Sequence, residues 1–291
     1  MLFKKITCSL IFIFSINLSL GAEINKDAEL IFKITLAKPP TSMPQTVAYI
    51  PVEKKYYIAD GGLAPMGSAY EAPISKSLIH TYDANGIYIE STRAGFDNRS
   101  IYFNEKTSRL ETITYNVSSA AGFAPMTGIF SLKLNEQGLL TGKSDAISNF
   151  TPAFGSASTM PSYNSKENIY YAKQDKSNSV YAINAENYQL ISDIKLDYET
   201  PKVQADDVAE NFIAFTGRAG EEFILLDVDH KRFLVYDIKG SYKGASNLPG
   251  SLKLRAKNHF NGLGYTLNGY YFLYIESEGE FGTFYAYKVL S

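Results

Sequence analysis

The chain has 291 residues, 45% of them apolar and 20% charged, with a formal net charge of −2. These values describe a folded globular protein and exclude a disordered chain, which would need fewer apolar residues and a larger charge imbalance. They also exclude a strongly basic nucleic-acid binder, because no positive excess exists to neutralise phosphates. Tyr and Phe contribute 22 and 18 residues and Trp none, a composition that favours strands over helices.

Residues 1–22 read as a secretory signal. Lys4 and Lys5 precede an apolar run from Ile6 to Leu20, and Gly21-Ala22 supplies a small-residue cleavage site. Cleavage after Gly21 would place Ser19 rather than Leu20 at the −3 position. The alternative is an uncleaved anchor, since the run is almost long enough to span a bilayer. The expected address is periplasmic or secreted. The one Cys is Cys8, inside the signal. The remaining chain therefore forms no disulfide and no thiolate metal site, and a lipid-anchored Cys at the cleavage site is excluded. Removal of residues 1–22 takes away two Lys and no acids, leaving 26 basic and 30 acidic residues and a charge of −4. No later apolar run is long enough to cross a membrane, so residues 23–291 are expected to form one domain without a transmembrane segment.

Ala28–Leu36 reads as a strand without an obvious local partner. After it, a unit of about fifty residues recurs. Each unit opens with a short strand: Thr46–Pro51, Ser100–Asn104, Pro161–Asn164, Phe212–Gly217 and Leu263–Leu267. A second, aromatic strand follows: Lys54–Asp60, Arg109–Asn116, Asn168–Lys173, Glu222–Val228 and Gly269–Glu276. The third strand ends in Asp or Asn and a polar turn. Aligning Asp83, Asn135, Asn184, Asp237 and the C-terminal Lys288 gives spacings of 52, 49, 53 and 51 residues. Asp and Asn suit such turns because they bond back to their own main chain. A fourth strand follows in some units, as in Ile87–Thr92 and Tyr188–Leu196. Asp206–Phe215 is the nearest approach to helical periodicity, and it fits a loop plus strand equally well.

Four short strands per unit with turn residues between them are the signature of a propeller blade. The fifth unit lacks its fourth strand, and Ala28–Leu36 would supply it, closing the ring and removing exposed edges. The expectation is all-β: a single β-propeller of five blades of four antiparallel strands. Six blades and a plain β-sandwich are the alternatives. The phrases Val47-Ala48-Tyr49-Ile50-Pro51, Lys55-Tyr56-Tyr57-Ile58-Ala59-Asp60 and Tyr82-Asp83…Gly86 resemble those of secreted propeller families of the NHL or YVTN kind. The resemblance is at fold level. It implies an architecture that hosts both binding proteins and enzymes, so it does not choose between them.

In a propeller the loop leading into the first strand and the loop between the second and third strands share a face, where function is usually carried. Two second-to-third loops are long and share a phrase, Gly62-Leu63-Ala64-Pro65-Met66 and Gly122-Phe123-Ala124-Pro125-Met126. Met66, Phe123 and Met126 would form an adaptable apolar lid, or the two loops would pack on each other. On the same face the leading loops bring Asp97 and Arg99, Tyr163, Asp206 and Asp207, and His259. The three acids would hold Ca²⁺ through oxygen ligands, pair with Arg99 as a structural network, or stand solvated. The recurring pairs Tyr56-Tyr57, Tyr170-Tyr171 and Tyr270-Tyr271 are expected in the cores between blades, because adjacent strand residues face opposite ways.

No catalytic signature stands out. There is no G-x-S-x-G, zincin helix, P-loop or dinucleotide glycine fingerprint. Of the three His, at 80, 230 and 259, His259 is the best placed, and one His is poor support for a transition-metal site. The expected function is therefore an exported, monomeric, non-enzymatic propeller without a cofactor, binding an unidentified protein or small ligand through its loop-rich face. The competing class is a carboxylate-dependent hydrolase or lyase in which Asp97 acts with Asp206 or Asp207 at the channel mouth, with or without Ca²⁺.

Overall fold

The computed structural model describes residues 23–37, 43–62, 78–93, 100–114, 128–156, 159–260, 262–276 and 282–291. Among them the chain is all-β, with helix confined to 3₁₀ turns at Ala205–Asp207 and Ala256–His259. Three sheets are four-stranded antiparallel meanders. The first contains β2 (Met43–Ile50), β3 (Lys55–Gly62), β4 (Leu78–Asp83) and β5 (Tyr88–Arg93). The second contains β6 (Ser100–Asn104), β7 (Arg109–Thr114), β8 (Gly128–Leu134) and β9 (Leu140–Ser148). The third contains β10 (Ser162–Asn164), β11 (Ile169–Lys173), β12 (Ser179–Asn184) and β13 (Leu190–Lys195).

The remaining strands form one eight-stranded sheet with two meanders in it. One is β14 (Ala214–Phe215), β15 (Phe223–Asp227), β16 (Arg232–Tyr236) and β17 (Tyr242–Asn247). The other is β18 (Leu263–Tyr265), β19 (Tyr270–Ile275) and β20 (Thr283–Leu290), with β1 (Ile24–Thr35) as its outer strand. β1 runs antiparallel to β20, from Ile24 opposite Leu290 to Thr35 opposite Thr283. It joins β17 through one parallel pair, Asp27 with Asn247. The Asn247 side chain reinforces this junction by donating to the Lys26 carbonyl at 3.0 Å. The N-terminal strand thus completes a four-strand unit with strands from the far end of the chain.

The recurring Asp and Asn residues are local turn formers. Asp83 Oδ1 accepts the backbone N–H groups of Asn85 and Ile87, each at 2.8 Å. Asn135 does the same for Gln137 and Leu139, Asn184 for Glu186 and Asn187, and Asp237 for Lys239 and Ser241. Each turn satisfies its own donors within the hairpin, which is why the residue type repeats although the flanking sequence does not.

Hydrophobic cores lie between neighbouring sheets. The Tyr pairs serve two of them at once. Tyr56 packs on Phe32 and Phe272, with ring centroids 5.4 and 5.5 Å away. Tyr57 turns to the other side and joins Ala48, Ile101, Leu110 and Leu132. Tyr170 and Tyr171 divide in the same way, Tyr170 with Ile113 and Phe154, and Tyr171 with Phe215 and Phe223. Full burial of such a side chain stabilises by about 1.5–3 kcal/mol, so alternation along one strand fastens it to both neighbours.

The first strands of the units abut one another in turn: β2 against β6, β6 against β10, β10 against β14, β14 against β18, and β18 back against β2. Side-chain hydroxyls stitch the seams. Thr46 Oγ1 accepts from the Ile101 N–H at 2.7 Å and donates to the Ile101 carbonyl. Ser162 Oγ donates to the Ile213 carbonyl. At the seam between β18 and β2 a Cβ on Gly264 would lie 2.9 Å from Val47 N, so this approach of two backbones requires glycine. The arrangement is that of a propeller-like ring of sheets around a common axis.

Candidate functional site

The strands that surround the axis enclose a cavity of about 370 Å³. Its wall comes from all five first strands and from the turns that follow β6, β10, β14 and β18. Five wall residues share one ladder position. Tyr49 pairs with Tyr56, Phe103 with Leu110, Tyr163 with Tyr170, Phe215 with Phe223, and Tyr265 with Tyr271. Each is followed by the last residue to bond across its hairpin: Ile50, Asn104, Asn164, Thr216 or Thr266. Because strand side chains alternate, equal ladder position means equal direction. All five rings are half-buried: one side joins a core between sheets, and the rest borders the cavity. They form an aromatic collar.

Polar groups complete the wall. Glu105, Lys166 and Arg218 stand in the turns at the mouth. Ser165 Oγ donates to Glu105 Oε2 at 3.1 Å, and Arg218 Nη1 donates to the main-chain oxygen of Ser291, the last residue of the chain, at 2.7 Å. Asn268 donates to the Tyr56 hydroxyl at 2.7 Å. Behind the collar, Tyr102 carries its ring towards Tyr163, 5.6 Å away, and its hydroxyl into a buried network. That hydroxyl donates to Glu111 Oε2 at 2.6 Å and lies 2.8 Å from the Tyr170 hydroxyl. Asn104 and Thr107 donate to the other Glu111 oxygen. Burial pushes the Glu111 carboxyl above its ordinary value, against the lowering effect of these donors and of Arg109.

Of the sequence-derived candidates, Tyr163 lies in this cavity, with its hydroxyl donating to Asn168. Asp206, Asp207 and His259 come together elsewhere, at the opposite ends of the strands from the turns that form the cavity mouth. Asp207 Oδ2 accepts the Gln204 N–H, and its carbonyl accepts the N–H groups of Val228 and Asp229. His259 Nε2 is 3.4 Å from Asp229 Oδ1, and Nδ1 is 3.2 Å from the Val208 carbonyl. Met66, Asp97, Arg99, Phe123 and Met126 lie outside the described residues. No group of three or more His, Cys, Asp or Glu is arranged to hold a metal among the described residues. Among them, too, no helix is long and apolar enough to cross a membrane. Sequence reasoning passed over Tyr49, Phe103, Phe215 and Tyr265. Their signal was an aromatic at the last or next-to-last residue of every first strand.

Three further buried charge clusters are structural ties. Asp227 accepts Arg232 Nε at 2.8 Å and lies 2.9 Å from His230 Nδ1, while Arg232 Nη2 donates to the Pro201 carbonyl. Lys173 Nζ donates to the carbonyls of Gln174 and Ser177 at 2.7 and 2.5 Å, and burial lowers its pKa to about 8. His80 bridges Asp60 Oδ2 at 3.0 Å and Ser91 Oγ at 2.7 Å. This last chain has the order of a hydrolase triad. However, its imidazole is only 1% exposed and Ser91 is also bonded by Tyr88 at 2.9 Å, so it links β3, β4 and β5 rather than facing a substrate.

No family model matches the sequence, and no curated protein does. The NHL or YVTN resemblance therefore has no support beyond a β-rich, propeller-like fold. The crystal structure of Myxococcus xanthus glutaminyl cyclase is similar, with a TM-score of 0.53 at 10% identity, covering 92% of this chain and 99% of that one. A protein of unknown function from Bacteroides caccae is more distant, with a TM-score of 0.37 at 14% identity over 73% of this chain and 69% of that one. At such identities the likeness to the cyclase extends to the fold alone.

Proposed function

We propose that the chain is a five-bladed β-propeller, exported after removal of residues 1–22, that binds a small ring-bearing ligand without chemically changing it. The blade count is supported by the cyclic contact of five first strands and by the two meanders within the eight-stranded sheet. The binding reading is carried by one observation: a half-buried aromatic at the same ladder position of every first strand, all bordering one cavity. Aromatic faces offer apolar contact to the plane of a sugar or an aromatic ring, and Tyr edges offer hydrogen bonds. A cavity of about 370 Å³ is of ligand size.

The competing hydrolase or lyase reading needs a pair of carboxylates. Glu105 is the one carboxylate residue among the described cavity lining, so binding is the better supported of the two. A thermal-shift panel of monosaccharides, cyclic polyols and aromatic acids tests it. A ligand at about a hundred times its Kd stabilises by roughly 2.7 kcal/mol, which is a rise of about 5–10 °C for a protein of this size. Tyr163→Ala and Tyr265→Ala should abolish the rise. A panel with no stabilising member, or rises that persist in both variants, contradicts the proposal.

A further inference from the structure

We infer that the ring held by the collar is a neutral polyhydroxylated one, a sugar or cyclic polyol, and that Tyr49 and Tyr265 read its hydroxyls; the inference rests on the ring-ligand site proposed above. The five collar residues are not chemically equivalent. Phe103 and Phe215 carry no hydroxyl. Tyr163 has one, but it donates to Asn168 Oδ1 at 2.6 Å. The hydroxyls of Tyr49 and Tyr265 have no hydrogen-bond partner among the described residues, although both residues are half-buried and border the cavity.

This difference gives the collar two sides. Around the axis the first strands run β2, β6, β10, β14, β18 and back to β2. Tyr265 on β18 and Tyr49 on β2 are therefore neighbours, and Phe103, Tyr163 and Phe215 occupy the three consecutive places opposite. The Tyr265 hydroxyl stands at the turn after β18, 3.9 Å from where a Cβ on Gly269 would lie, and Gly269 itself lines the cavity. A phenol hydroxyl both donates and accepts. A neighbouring pair of them matches ligand hydroxyls, which also do both, whereas a carboxylate only accepts and an ammonium only donates. The charges of the wall are engaged or solvated: Glu105 accepts from Ser165, Arg218 is bonded to the main-chain oxygen of Ser291, and Lys166 is exposed. A sugar ring would thus lay its C–H groups against Phe103, Tyr163 and Phe215 and direct neighbouring hydroxyls to Tyr49 and Tyr265.

Isothermal titration of the purified protein compares glucose, galactose and myo-inositol, which carry neighbouring hydroxyls, with cyclohexanol and benzyl alcohol, which carry a ring and a single hydroxyl. At least one of the first three should bind about tenfold more tightly than either of the last two, the scale of one or two added neutral hydrogen bonds. Tyr49→Phe and Tyr265→Phe remove the hydroxyls and keep the rings. Each should narrow that gap about three- to tenfold, with the melting temperature in the absence of ligand unchanged. A ligand-side measurement needs no variant to fold: in the wild-type protein one single-deoxy analogue of the preferred polyol should lose as much affinity. A gap that survives both Phe variants would overturn the assignment to Tyr49 and Tyr265. Single-hydroxyl rings that bind as tightly as every polyol, with binding lost in Tyr163→Ala, would overturn polyol selection and leave the ring-binding site standing. Binding of none of the five compounds would overturn both readings together.

Discussion

The Tyr102 hydroxyl donates to Glu111 Oε2 at 2.6 Å, inside the seam between the second and third sheets. Glu111 is 3% exposed, and burial raises its pKa despite four lowering influences. The sign of the pH effect follows. A folded pKa above the unfolded one makes the contribution of the group to stability fullest below the unfolded value, and that contribution fades as pH rises through the folded value. Glu111→Gln cannot lose a proton, so its stability relative to wild type should improve between pH 4 and pH 7. Urea denaturation at both values measures this; a constant difference would contradict it. Tyr102→Phe leaves the carboxylate short of a donor and should cost about 1–3 kcal/mol at neutral pH.

Asp227 and Arg232 form the most enclosed ion pair that involves an Arg or Lys among the described residues, with the Asp227 side chain fully buried. Arg232→Met strands that carboxylate with only the half-exposed His230 beside it, and should cost about 3–5 kcal/mol. The Asp227→Asn/Arg232→Met double variant should recover part of this loss. A double variant as unstable as the sum of the singles would show that the two groups do not act together.

Ring closure by β1 separates two neighbouring kinds of position. Ile34 is fully buried against residues of the first and last meanders, whereas Leu30 is 41% exposed on the same strand. Ile34→Ala should cost about 2–5 kcal/mol, and Leu30→Ala within about 0.5 kcal/mol. Equal costs, read from urea midpoints, would mean that β1 is not bound as the pairing with β20 requires.

Truncating a turn former should act locally. Asp83→Ala removes the acceptor for two backbone donors and should cost about 1 kcal/mol. Amide exchange should quicken at Asn85 and Ile87 while β2 and β3 remain protected. Loss of protection throughout the first sheet would show that the turn is part of its cooperative core.

The strands were legible because their determinants are local. Lys54–Asp60 against an observed Lys55–Gly62, and Ser100–Asn104 as observed, follow from alternation and from turn residues at fixed offsets. Asp83, Asn135, Asn184 and Asp237 marked their turns because the hydrogen bonds they make lie within five residues. The position of Ala28–Leu36 was legible from what the last unit lacked. The cavity was not. Its wall joins Tyr49 to Tyr265, which become neighbours around one axis only when the sheets assemble. Attention to charged loops also pointed to the Asp207 and His259 end, whereas the enclosed space opens at the turns of Glu105, Lys166 and Arg218. Reading the aromatics of the first strands by ladder position, rather than the acids of the loops, would have pointed to the collar.

The central claim is that the aromatic collar, and not the opposite end of the axis, is where a ligand binds. A crystal structure of the protein soaked with the strongest stabiliser from the thermal-shift panel tests it most directly. The account predicts ring density in contact with Tyr49, Tyr163 and Tyr265. Density at Asp206, Asp207 and His259, with the collar unoccupied, would contradict it.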